Sequence, residues 1–146
     1  MNHFIIYTDG SCLKNPGGPG GWAFIVVHDD GETCVSGHHA ETTNNRMELM
    51  ATIQALEHAR ESLDGTITLY TDSSYVKNGI TKWIKGWKKN GWKTAAGTPV
   101  KNHDLWEQLM ELNEEISVTW EWVKAHADNK YNNMVDHLAR EAAIRQ

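Results

Sequence analysis

Two short segments of the 146-residue chain repeat one pattern: Tyr7-Thr8-Asp9-Gly10-Ser11 and Tyr70-Thr71-Asp72-Ser73-Ser74 both read Y-T-D-x-S. Each closes a hydrophobic stretch with the character of a strand. If those strands are neighbours in the parallel part of a sheet, the two carboxylates leave the same edge side by side. Ligand sites of open α/β sheets lie beyond the carboxyl ends of the strands. Taken singly, each Asp also has a local role open to it: an Asx-turn at Asp9-Gly10 and a helix N-cap at Asp72. Glu48 follows the polar run Thr42-Thr43-Asn44-Asn45. Asn44, Asn45 and Glu48 could face a ligand together, or Glu48 could close a capping box begun at Asn45. Asp136, one turn into the last expected helix, either joins the carboxylates or meets the positive end of the helix dipole.

Carboxylates that converge without basic partners repel one another, and such a cluster persists when cations neutralise it. Hard oxygen donors select Mg²⁺ or Mn²⁺. Two such ions about 3.5–4 Å apart clamp the attacking and leaving oxygens of a phosphoryl displacement. No His/Cys spacing supports a zinc site. His126 follows the last expected strand and precedes the polar loop Asp128-Asn129-Lys130-Tyr131-Asn132-Asn133. A His there is either solvated or placed to shuttle protons near pH 7.

The charge is unevenly spread. The net charge is −5, which alone argues mildly against a nucleic-acid partner. From Ser73 to His103, however, there is no acid, and there are seven lysines: Lys77, Lys82, Lys85, Lys88, Lys89, Lys93 and Lys101. A basic lobe on an acidic body points to a polyanion. Trp83, Trp87 and Trp92 interleave with these lysines and offer either flat faces for a nucleic acid or packing against the core. We expect at least one of the three to pack inward.

The elements that must position these residues follow from hydrophobic periodicity. Strands are expected at 4–8, 22–28, 33–39, 66–71 and 117–123, with a hairpin turn over 28–32 and a Gly/Pro loop over 14–21. Helices are expected at 45–62, 103–115 and 132–145. Residues 75–90 read as two short helices broken at Gly79 and Gly86, and 91–102 as a loop. The order βββαβααβα implies an α/β fold, with a five-stranded mixed sheet flanked by helices. The length suits a single domain spanning residues 1–146. No apolar run is long enough for a membrane span, and the first residues lack the pattern of a signal peptide. Cys12 and Cys34 make neither a disulfide framework nor a CxxC pattern, so a cytoplasmic setting is expected.

Thr8-Asp9-Gly10-Ser11, Thr42 to Leu49 (TTNNRMEL), Thr71-Asp72-Ser73, Trp122-Val123-Lys124-Ala125-His126 and Val135-Asp136-His137-Leu138-Ala139 together resemble bacterial type 1 ribonuclease H. The resemblance runs from about residue 4 to residue 144. It implies Mg²⁺-dependent cleavage of the RNA strand of RNA/DNA hybrids, leaving 5′-phosphate and 3′-hydroxyl ends, with two ions bound during catalysis and Mn²⁺ as a substitute. It implies that Asp9, Glu48, Asp72 and Asp136 are the catalytic acids and metal ligands, and that His126 is a mobile catalytic histidine. It further implies that about 81–101 is a basic protrusion carrying Lys82, Trp83, Lys85, Trp87, Lys88, Lys89, Trp92 and Lys93 to the substrate. Cys12, Asn15, Asn44 and Asn45 match positions beside RNA 2′-hydroxyls, Thr43 a position near a DNA phosphate, and Asn132 the Asn near the last acid. The implied protein acts as a monomer, away from membranes.

Three residues depart from the family pattern. Ala125 and Asp128 stand where Gly is frequent, which alters the loop around His126, and Ser74 replaces a longer Gln at a minor-groove position. None is a metal ligand. Two other readings stay open: a two-metal DNA nuclease or strand-transfer enzyme, and a non-catalytic hybrid-binding module. Asn44, Asn45 and the lysine–tryptophan segment count against the first, and the presence of all four acids against the second.

Overall fold

The computed structural model describes residues 2–124 and 129–145. Alternating apolar residues build three antiparallel strands first, β1 (Asn2–Cys12), β2 (Gly20–His28) and β3 (Gly31–His39). After α1 (Asn44–Ser62) comes β4 (Gly65–Thr71), which lies parallel to β1. A helical run follows: α2 (Ser74–Asn78), a π-helical turn (Gly79–Trp83) and α3 (Ile84–Lys89). Then come α4 (His103–Glu115), β5 (Val118–Trp122) parallel to β4, and α5 (Lys130–Ile144). The sheet order is β3-β2-β1-β4-β5, so β1 is central. This is the five-stranded mixed sheet and the element order expected from the sequence.

Period-2 alternation sends side chains to two cores. Ile6, Phe24, Val26 and Leu69 pack under α1 and α4 with Leu49, Ile53, Leu56, Trp106 and Leu109. Tyr7, Ala23 and Ile25 face the other way, against Val135 and Ala139 of α5.

Several boundaries differ from expectation. β1 runs on to Cys12 because it stays paired with β2 as far as Cys12–Gly20. α1 begins at Asn44, where Thr43 is the N-cap and its Oγ1 accepts from the Arg46 N–H at 3.2 Å. Asn45 therefore starts no capping box. Residues 75–90 are not broken at the glycines. The chain keeps right-handed helical geometry through Gly79, and Gly86 sits inside α3.

The two glycines have different reasons to be there. A Cβ on Gly79 would lie 2.0 Å from the ring of Trp106, which is fully buried, whereas a Cβ on Gly86 would meet nothing within 4 Å. Opposite effects are expected in urea unfolding. Gly79→Ala overpacks the Trp106 site and lowers stability by about 1–3 kcal/mol. Gly86→Ala removes backbone entropy from the unfolded chain and raises stability by up to about 1 kcal/mol. Equal effects at the two positions would show that Gly79 is not a packing requirement.

Candidate active site

The repeated Y-T-D-x-S segments fall in matching register. Tyr7 pairs with Tyr70 and Thr8 with Thr71 across the β1–β4 ladder, and the two tyrosine rings stack at 4.9 Å and 14°. Asp9 and Asp72 therefore leave adjacent parallel strands side by side. Asp72 is not the cap of α2. That role falls to Ser73, whose Oγ accepts from the Val76 N–H at 3.1 Å. The Asp72 main chain is held from β5 instead: the Trp122 indole N–H donates to the Asp72 carbonyl at 3.1 Å, and the Val123 N–H to the Thr71 carbonyl at 2.9 Å.

Glu48 reaches the pair because α1 lies directly on β1. A Cβ on Gly10 would stand 2.3 Å from the Glu48 main-chain nitrogen, so only glycine lets the helix approach this closely. With Thr43 as the cap, Glu48 sits in the second turn, buried and facing Asp9.

Carboxylate oxygens of Asp9, Glu48 and Asp72 lie within 4.8 Å of one another. Asp136 lines the same cleft from α5 without joining that group, and its Oδ2 lies 3.6 Å from Arg140 Nε. The cleft holds about 400 Å³ and also takes in Ser11, Asn44, Asn45 and Tyr75.

This arrangement is costly without a cation. Asp9 Oδ1 accepts from the Gly10 N–H at 2.9 Å, but the buried Asp9 Oδ2 and Glu48 Oε1 have no hydrogen-bond partner among the described residues. Burial and the neighbouring Asp72 charge push the Asp9 carboxyl up to about 8. Burial, then Asp9 and Asp72, raise Glu48 well above the carboxylate range, and burial raises Asp72. Buried, unpartnered oxygens of hard type, aimed at one another, fit a divalent cation.

The other expected residues are placed as follows. Asn44 and Asn45 line the cleft. The Asn15 side chain accepts from the Asn44 N–H at 3.1 Å, so the 14–21 loop braces the start of α1. The Cys12 thiol points at the Gly18 and Thr42 carbonyls, both at 3.5 Å. Thr43 Oγ1 is engaged in capping. Asn132 is buried in the first turn of α5, where its N–H donates to Asn129 Oδ1. His126, Ala125 and Asp128 lie outside the described residues.

In the lobe, Lys82, Lys85, Lys89 and Lys93 are exposed, while Lys88 lies 3.4 Å from Glu114 of α4. Trp83 is exposed, and Trp87 and Trp92 pack against the core. The sequence pattern missed two cleft residues. Arg140 was detectable as the i+4 neighbour of Asp136 on one helix face. Tyr75 carried no signal, because its role depends on contacts with α4.

Buried acids at the ends of adjacent parallel strands, beside a lysine-rich lobe, define a divalent-metal-binding, nucleic-acid-processing enzyme. The family model for RNase H matches residues 1–144, and the chain belongs to the ribonuclease H family of endoribonucleases, which cleave the RNA strand of RNA/DNA hybrids. It is 54% identical over 146 residues to Ribonuclease HI of Xylella fastidiosa (strain 9a5c), covering 100% of this chain and 95% of that protein. It is 52% identical over 147 residues to Ribonuclease H of Ehrlichia ruminantium (strain Gardel), covering 99% and 97%. Among solved structures it is similar to LC9-RNase H1, a type 1 RNase H with the type 2 active-site motif. The TM-score is 0.86 at 32% identity, covering 97% of this chain and 72% of that one.

The cluster makes a stability prediction whose sign follows from the raised carboxyls. Ionisation costs more in the fold than in the unfolded chain, so the stability these groups confer is complete below the ordinary carboxyl range. It is lost as pH climbs toward about 8. Asp72→Asn removes one of the crowded charges and leaves the Ser73 cap intact. In chelator the variant is expected to melt above the wild type, by a margin that grows from pH 6 to pH 8. A divalent cation that binds the assembled cluster stabilises the wild type by RT ln(1 + [M]/K), so the margin narrows as metal is added. A variant that melts below the wild type in chelator would show that Asp72 supports the fold rather than strains it.

Proposed function

We propose that this chain hydrolyses the RNA strand of RNA/DNA hybrids at the cleft between β1, β4, α1 and α5, with Mg²⁺ as its natural cation and Mn²⁺ as a substitute. The observation that carries this reading is the convergence of Asp9, Glu48 and Asp72 within 4.8 Å, with two of their buried oxygens unpartnered among the described residues. These three and Asp136 would hold two ions, which when bound would supply activation of the attacking water and charge stabilisation at the departing 3′ oxygen. The ends left are a 5′-phosphate and a 3′-hydroxyl.

The chain's own groups do the rest. Asn44 and Asn45 offer donors and acceptors to minor-groove base edges and to the 2′-hydroxyl that marks RNA. Cys12, Asn15 and Thr43 brace that edge of the cleft, and Asn132 anchors the start of the helix that carries Asp136. His126 moves protons around the cleft rather than binding an ion. The segment 81–101 is the basic protrusion of one domain and binds backbone phosphates. Two unpaired cysteines fit a cytoplasmic setting, and no helix among the described residues is long and apolar enough to cross a membrane. A monomer fits the exposed large hydrophobics of the described residues, Leu13, Trp83, Trp122 and Ile144, which lie on separate parts of the chain.

Cleavage of one labelled hybrid, compared with the matching RNA and DNA duplexes with and without Mg²⁺, tests the reading. Only the hybrid is expected to be cut, and only with the cation. Asp9→Asn is expected to abolish cleavage while hybrid binding persists. Substantial Mg²⁺-dependent cutting by that variant would remove Asp9 from the site, and cutting of the DNA duplex would favour a DNA nuclease.

The lobe is tested by salt. Among the described residues, Lys88 is the one lobe lysine that reaches a carboxylate. Lys85 and Lys89 are therefore the better probes. Replacing both with Ala is expected to lower the slope of log K against log salt by up to about 0.9 for each phosphate that these lysines neutralise. KM is expected to rise more than kcat falls, because such interactions hold ground and transition states alike. An unchanged slope would place the lobe in solvent.

A further inference from the structure

The lobe leaves the body through α2 and returns at Asn102, where the chain turns through a left-handed residue (φ 61°) into α4. One hydroxyl joins the two points. Tyr75 Oη accepts a hydrogen bond from Asn102 Nδ2 at 3.1 Å and another from the indole N–H of fully buried Trp106 at 3.0 Å. Asn102 is held in turn: its Oδ1 accepts from Arg46 Nη1 at 3.2 Å, and the Arg46 guanidinium grips Asp104 with two bonds of 3.0 and 2.8 Å. Arg46 stands between Asn45 and Glu48 on α1, and Tyr75 three residues after Asp72. The network therefore touches α1, which carries Glu48, and α2, which follows Asp72, and it touches both ends of the lobe.

We propose that Tyr75 is a positioning residue: its hydroxyl staples the exit of the basic lobe to its return, and so fixes the angle at which the lobe's lysines stand to the acidic cleft. This rests on the reading of the lobe as a phosphate-binding surface. Packing of Ile80, Ile84 and Val100 and the Lys88–Glu114 pair also attach the lobe, but the convergent hydrogen bonds at Tyr75 are what join its two ends. Trp87 meets Trp106 edge-on at 5.4 Å, and Trp92 stacks on His103 at 4.4 Å. These are flat apolar contacts that resist separation but tolerate sliding, whereas two hydrogen bonds converging on one oxygen set direction. Tyr75 also lines both the acidic cleft and the pocket beneath Trp87 and Pro99.

A duplex long enough to touch lobe and cleft at once gains from their alignment as a bivalent ligand does, and a short one does not. Affinity without divalent cation is therefore measured for a hybrid of about two helical turns and for one of about half a turn, at about 10 base pairs per turn. Tyr75→Phe removes only the oxygen. It is expected to reduce the long-to-short affinity ratio by about five- to tenfold, the range expected when a hydrogen-bonded junction is removed. In that background, replacing Lys85 and Lys89 with Ala is expected to cost much less than in the wild type, because misaligned lysines have little left to lose.

A lower melting temperature with an unchanged ratio and fully additive lysine effects would overturn the proposal and leave Tyr75 a packing residue. Should Tyr75→Phe fail to fold, Asn102→Gly runs the same test. Glycine keeps the left-handed backbone and deletes the amide that donates to Tyr75. The same fall in the ratio is expected, and an unchanged ratio again overturns the proposal. Because affinity is read without catalysis, a wild type that binds hybrids but cuts none would sink the catalytic reading alone. A wild type with no preference for the long hybrid would sink the staple.

Discussion

Like charges buried a few ångströms apart repel, and this molecule is organised around holding three of them together. The Asp9 and Asp72 carboxylates cannot drift apart, because β1 and β4 are hydrogen-bonded in register as far as Thr8 and Thr71. Glu48 cannot turn away, because α1 is pressed onto β1 at a glycine. The Asp72 main chain is gripped from β5. Each constraint uses backbone bonds or close backbone approach, which relax far less than side-chain rotamers. The repulsion therefore stays in the fold until a cation offsets it, and the cost is carried by a central sheet with two packed cores.

The lobe solves a different problem by other means. Its lysines face solvent, and two of its indoles, Trp87 and Trp92, pack on Trp106 and His103 of the α4 segment. One stretch of chain thus supplies a positive surface and its own attachment. Lys88 shows the limit of charge reading: it carries the same formal charge as its neighbours, but Glu114 lies beside it, and that acid is twenty-odd positions away in sequence.

Much of this was legible in the sequence because it is local or repeated. The Y-T-D-x-S echo sets two acids side by side on the condition that its strands are parallel neighbours, and they are, with Tyr7 opposite Tyr70. The apolar stripe marked α4 to the residue, and the hairpin turn over 28–32 placed β2 and β3 to within two residues. What was not legible depends on distant partners. Gly79 resembles a helix breaker until Trp106 is seen against it, and then it is a packing necessity within a continuous helical run. Glu48 resembled a capping acid because Asn45 looked like a cap. Thr43 takes that place instead, and its choice moves Glu48 into the second turn, facing β1. Tyr75 has no periodic or motif signature, since its importance lies in Asn102 and Trp106.

The central place of β1 has a consequence for how the enzyme comes into being. Its antiparallel partner β2 follows almost at once in the chain, so only a short loop has to close for the two to pair. Its other partner, β4, comes only after the long α1 crossover, and α5 is the last described element of the chain. Contacts between residues far apart in sequence form late, because a large loop must close before they are rewarded. A chain still emerging from a ribosome can make strands and helices, but it cannot gather acids drawn from β1, α1, the end of β4 and α5. The four acids are all present only once α5, the last described element, has been made.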